Sequence, residues 1–125
     1  MQDEPTPIEL TKAVADFLRN DITPLTSGHS AFKLRVAINA LDLVTRQLTL
    51  EEGSDANEVE RLTSLLGMQG SVMELNRALA ERIAKGEVNL ATPRLAEHLW
   101  QTTMDKLAVD QPTYASYKRE LSREG

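Results

Sequence analysis

Arg35, Asn39, Asp42 and Arg46 form the strongest polar constellation in the chain. On a helix turning about 100° per residue they share a strip roughly 60° wide. An arginine held between apolar flanks presents a planar fork suited to a carboxylate or a phosphate. One reading of the strip is therefore a recognition seam. A second is an internal seam, Arg35 or Arg46 bonded to Asp42, that fixes how neighbouring helices dock. A third is a narrow solvated face. Asp42 is the only acidic residue within a largely apolar segment, so acid–base chemistry would have to start there.

The C-terminal region offers a different chemistry. Trp100, Tyr114 and Tyr117 are three of the five aromatic residues. They read either as a minicore pinning the last helix or as a partner surface, because Trp, Tyr and Arg are enriched among binding hot spots. Arg119, with Lys118 and Arg123, makes that end modestly basic. Other chemistries lack their residues. His98 has no His or carboxylate at i±3 or i±4, and His29 sits beside Gly28 in an expected loop, so no metal pair is spelled out. No serine stands in Gly-x-Ser-x-Gly or Ser-x-x-Lys. Gly67-Met68-Gln69-Gly70 reads as a helix stop and a turn rather than a phosphate cradle. We expect no catalytic set, no metal and no cofactor.

The elements that position these residues are all helical. Residues 31–50 contain no Gly or Pro and are apolar almost all round outside the Arg35–Arg46 strip. A surface helix has an apolar stripe and a wide polar face. The reversed proportion predicts a long second helix at the centre of a bundle. Ahead of it, Thr6-Pro7-Ile8-Glu9 reads as a capped start, with Leu10, Ala13, Val14, Phe17 and Leu18 inward. Glu52 and Gly53 are expected to close the second helix. Ser54 or Asp55 then caps a third, with Val59, Leu62, Leu65 and Leu66 inward and Gly67 as its stop. Ser71-Val72-Met73-Glu74 is a capping box opening a fourth, with Leu75, Ala78, Leu79 and Ile83 inward up to Gly86. Thr92-Pro93 opens a fifth, with Leu95, Leu99, Trp100, Thr103, Met104 and Leu107 on its inner side. Tyr114, Tyr117 and Leu121 mark a sixth. The expected architecture is all-α, a compact bundle of about six helices in a single domain over residues 1–125, fraying at 1–5 and 122–125.

Composition narrows the partners. The chain has 125 residues, 14 basic and 19 acidic, for a formal charge of −5. Residues 1–62 hold 6 Lys/Arg against 11 Asp/Glu, and the remainder 8 against 8. Neither half has the basic surplus that a phosphate backbone demands, so nucleic acid is not an expected partner. There is no cysteine, which removes disulfides and thiolate chemistry. The opening residues lack a secretory signal and no apolar run approaches the ~20 residues of a membrane span. We expect a soluble cytoplasmic protein without a membrane partner.

Several stretches together resemble a family of small bacterial proteins, DUF6285. They are Gln2-Asp3-Glu4-Pro5-Thr6 with Glu9-Leu10 and Val14-Ala15-Asp16-Phe17-Leu18. Next comes Phe32-Lys33-Leu34-Arg35-Val36-Ala37-Ile38-Asn39-Ala40-Leu41, then Leu75-Asn76. The last is Lys106-Leu107-Ala108-Val109-Asp110-Gln111-Pro112 with Tyr114 and Tyr117. Each piece alone is common in helical proteins; their order and spacing carry the likeness. The resemblance implies a genomic setting beside an aminoglycoside-phosphotransferase-like kinase and an acyl-CoA dehydrogenase-like protein. That setting suggests catabolism of hydroxy acids as CoA thioesters. It supplies no catalytic residues.

Three functions fit this reading. The first is a non-catalytic accessory subunit of the kinase, touching it through Arg35, Asn39 and Arg46 and through Tyr114, Tyr117 and Arg119. The second is a helical bundle that binds an acyl-CoA-like molecule, with Lys33, Arg35 and Arg46 meeting its phosphates. The third is an enzyme working through Asp42. Under each, a helix apolar on nearly every side needs neighbours, and a second copy of the chain is one source of them.

Overall fold

The computed structural model describes residues 4–124, so the expected fraying at 1–3 and 125 lies outside the described residues. Every regular element among the described residues is a helix: α1 (Pro7–Phe17), α2 (Gly28–Leu66), α3 (Val72–Ala84), α4 (Leu95–Asp110) and α5 (Ala115–Glu124). A π-type turn (Leu18–Ile22) and a 3-10 turn (Thr23–Leu25) join α1 to α2.

There are five α-helices rather than six because the expected second and third are one. α2 runs unbroken for 39 residues. Gly53 was expected to stop it, yet it lies inside the helix. A lone interior glycine costs about 1 kcal/mol against alanine. Nothing at Gly53 supplies a competing geometry, since Gly28, Gly67 and Gly86 are the described glycines with positive φ. At Gly67, φ is 68° and its N–H bonds the Thr63 carbonyl, so that stop operates as expected.

The other helix starts follow their caps. The Glu9 N–H donates to Thr6 Oγ1 at 3.2 Å. At α3 the capping box is complete: Glu74 N–H to Ser71 Oγ at 3.1 Å and Ser71 N–H to Glu74 Oε1 at 3.3 Å. Those bonds, with Arg77 nearby, also lower the Glu74 carboxyl pKa. Thr92-Pro93 does not open α4 directly. Thr92 Oγ1 instead accepts the Asn89 N–H, and Leu95 N–H bonds the Thr92 carbonyl, so the helix begins at Leu95.

The chain forms two compact units, residues 1–51 and 52–125. In the first, α1 lies against the N-terminal part of α2. Thr11 Oγ1 and Thr45 Oγ1 bond at 2.7 Å, and Arg19 bridges Asp16 at 3.0 Å and Asp42 at 2.7 Å. Among the described residues, only Ala15 and Ile38 are buried there. Leu10, Val14 and Phe17, expected inward, are exposed, as are Phe32, Val36, Val44, Leu48 and Leu50. Within this unit α1 covers one side of α2.

The second unit has a real core. Leu62 and Leu66 of α2, Leu75 and Leu79 of α3, Val88 of the α3–α4 connection and Leu95 of α4 pack together, with Val59, Leu65, Met68 and Ala78 against them. Arg82 donates to the Leu66 carbonyl at 3.0 Å, which satisfies an orphan acceptor at the end of α2. Met104 and Tyr117 are buried as well, whereas Ile83, Leu99 and Trp100 are not. Among the described residues, no helix is long and apolar enough to cross a membrane.

Candidate functional site

The second unit places its one buried imidazole against a guanidinium. His98, Thr102 and Asp105 fall on one stripe of α4, at i, i+4 and i+7. Arg61, on the C-terminal part of α2, reaches all three. Its Nε donates to His98 Nδ1 at 3.1 Å, its Nη2 to Thr102 Oγ1 at 3.3 Å, and Nη2 stands 3.9 Å from Asp105 Oδ2. His98 is 3% exposed.

This geometry decides the state of the imidazole. Nδ1 accepts from a permanently charged donor, so the ring proton belongs on Nε2. Burial and the Arg61 charge beside it both lower the His98 pKa, and Glu58 opposes them weakly. His98 is therefore a neutral, tethered ring near pH 7. Asn76 steadies Glu58 with a 3.1 Å bond and is itself held by the Val72 carbonyl.

Beside this centre lies a cavity of about 230 Å³ lined by Glu60, Arg61, Ser64, Arg94, Glu97 and His98. Arg94 is the one described non-glycine residue with positive φ, at 74°. It sits in that left-handed conformation as the N-cap of α4, where its carbonyl accepts the His98 N–H. The cavity is below the roughly 300–1,000 Å³ of sites that enclose drug-sized ligands. Its two arginines face two glutamates, so it offers no concentrated positive charge for the phosphates of a CoA. Among the described residues, no group of three or more His, Asp or Glu is placed to hold a metal.

The residues singled out in sequence land elsewhere. Arg35 and Asn39 are exposed in the first unit, and Arg46 is half-buried there. Asp42 takes Arg19 as a partner, a residue outside the strip. It thus serves the α1–α2 contact, while Arg35 and Asn39 face solvent. Tyr117 is buried, Tyr114 is half-exposed just ahead of α5, and Arg119 donates to Ser116 Oγ at 3.0 Å. Trp100 and Tyr114 are each about half exposed. His29 is in the first turn of α2 rather than in a loop, stacked on Phe32 with centroids 6.4 Å apart.

Sequence reasoning missed the Arg61–His98 centre. It tested His98 for metal-ligand spacing on its own helix, and the partner is a cation on another. The legible signal was the stripe His98, Thr102, Asp105, an acceptor row on an otherwise apolar face. The stripe is coherent enough to have called for a donor.

No curated protein and no solved structure matches the chain. A family match does exist, and it spans both units, from the turn before α2 to the residue that precedes α5. Over residues 24–114 the chain matches the model of a domain of unknown function, and the protein belongs to that family, DUF6285.

Proposed function

We propose that the protein is a non-catalytic accessory subunit of an aminoglycoside-phosphotransferase-like kinase in the catabolism of hydroxyacyl-CoA compounds, acting in the cytoplasm. The observation that carries this reading is the exposure of Trp100 and Tyr114, at 46% and 50%, in a chain with few aromatics. A folded domain ordinarily shelters such side chains, and they anchor interfaces when it does not. Leu99 on α4 and Leu121 on α5 are exposed as well, and Lys118 and Arg119 supply a polar rim. The genomic company implied by the family resemblance names the kinase. The tethered state of His98 and the balanced charges of the small cavity fit a domain that leaves chemistry to a partner.

The test is co-expression with the tagged neighbouring kinase, followed by ATP-dependent phosphorylation of hydroxyacyl-CoA substrates with and without this chain. Stoichiometric co-elution, with activity lost on omission, is the expected result. Trp100→Ala should weaken the complex about tenfold or more without altering the circular dichroism of the isolated protein. Separate elution with full kinase activity would end the proposal.

A further inference from the structure

We infer that the exposed face of α2 in the first unit pairs antiparallel with the same face of a second copy. The face is built from Val36, Ala37, Ala40, Val44 and Leu48, all exposed. At about 100° per residue they span one side of the helix, and Thr45, which bonds Thr11 of α1, is on another. The Asp16–Arg19–Asp42 chain marks the polar side of the α1–α2 hairpin. On the opposite side α1 adds Leu10, Val14 and Phe17, likewise exposed.

The occupant follows from charge and register. Lys33 and Glu51 bound the face, one at each end, and both are exposed. They are eighteen residues apart, which is about five full turns, so they share one angular position. Antiparallel self-pairing about a two-fold axis near residue 42 sets Lys33 of each copy against Glu51 of the other. The same register sets Val36 against Leu48 and Ala40 against Val44. The small side chains Ala37 and Ala40 let the two backbones approach. A heterologous partner would have no need of this end-to-end symmetry; an isologous one does.

The area agrees. Phe32 and Val36 are 54% and 53% exposed, and Val44, Leu48 and Leu50 about 40%. With Leu10, Val14 and Phe17, the apolar surface available is on the order of 600 Å² per copy, at the lower end of what each partner of a specific complex buries. Pairing also supplies the neighbours that a two-helix unit with two buried residues among those described lacks.

The experiment uses the full chain alone, so it stands or falls apart from the kinase reading. Sedimentation equilibrium should show a dimer at about 0.1 mM. Val44→Asp should make it a monomer with unchanged helix content, since Val44 is exposed in the single chain. Lys33→Glu should weaken the dimer by roughly tenfold, through two like-charge contacts. Lys33→Glu combined with Glu51→Lys should restore it. A monomeric wild type, a dimer indifferent to Val44→Asp, or a double variant no tighter than Lys33→Glu would each overturn the inference.

Discussion

α2 runs through both compact units, and its two parts have opposite fates. The N-terminal part is the more apolar in sequence, yet of its large side chains only Ile38 is fully buried. The C-terminal part carries Glu52, Asp55, Glu58, Glu60 and Arg61, yet its Leu62 is wholly buried and Leu66 nearly so. Apolar content measures the demand for burial; the number of neighbouring helices decides the supply. The second unit has α3 and α4 to close over one stripe of α2. The first has α1, eleven residues long, to set against a helix apolar on most sides.

The contrast can be tested at its strongest point by truncating single side chains. Leu62→Ala or Leu75→Ala removes a group with no solvent exposure, and should cost about 2–5 kcal/mol in urea unfolding. Val36→Ala, in the first unit, should cost under about 1 kcal/mol in the monomeric Val44→Asp background, since half of Val36 is already in water. Comparable losses at Leu62 and Val36 would mean that the first unit is as well packed as the second, and the comparison would fail.

A smaller effect lies in the polar tie of the second unit. Arg61→Met keeps most of the stem but withdraws the donor from the buried His98 Nδ1 and from Thr102. Leaving such a buried acceptor unmade costs about 1–3 kcal/mol, read again as a shift in the urea midpoint. The same centre predicts a pH dependence. The folded His98 pKa lies below its ordinary value of 6.5, so the unfolded chain binds the proton first as pH falls. The stabilisation is therefore complete above about pH 6.5 and declines below it until the folded ring also protonates. Melting temperatures from about pH 7.5 down to 5 should fall, and His98→Gln should flatten that slope relative to wild type whatever its effect on absolute stability. An unchanged slope would place the titration elsewhere.

How much of this could be read beforehand depends on whether a feature is local. The capping box Ser71–Glu74 and the stop at Gly67 are backbone chemistry within a few residues, and both were legible. So was the inward face Leu62, Leu66, Leu75, Leu79, because helical periodicity alone selects it. The expected inward faces of α1 and of the N-terminal part of α2 were overstated, since periodicity shows which side is apolar and not whether anything covers it. The Arg61–His98 centre was hidden for a related reason. Its partners are 37 residues apart, and neither carries a spacing that names the other. Arg94 was hidden too, because an arginine with positive φ has no composition signal; only the turns around Asn89 and Thr92 that force it are suggestive.

The smallest expected effect concerns the residue where the two parts of α2 are joined. Gly53 was expected to end a helix, and it instead lies within one, with open space where a Cβ would project. If the helix is continuous through Gly53, Ala should fit without a clash, lower the entropy of the unfolded chain and raise stability by about 0.5–1 kcal/mol. A stop built on a left-handed glycine behaves in the opposite way, since Ala at positive φ is strained. Gly67→Ala, at φ 68°, is therefore the matched control and should lose about 1 kcal/mol. The pair is read as two melting curves on the full chain. A gain at Gly53 with a loss at Gly67 assigns the difference between the two units to what covers α2. A loss at both would mean that Gly53 also terminates a helix, and that each unit owns its own.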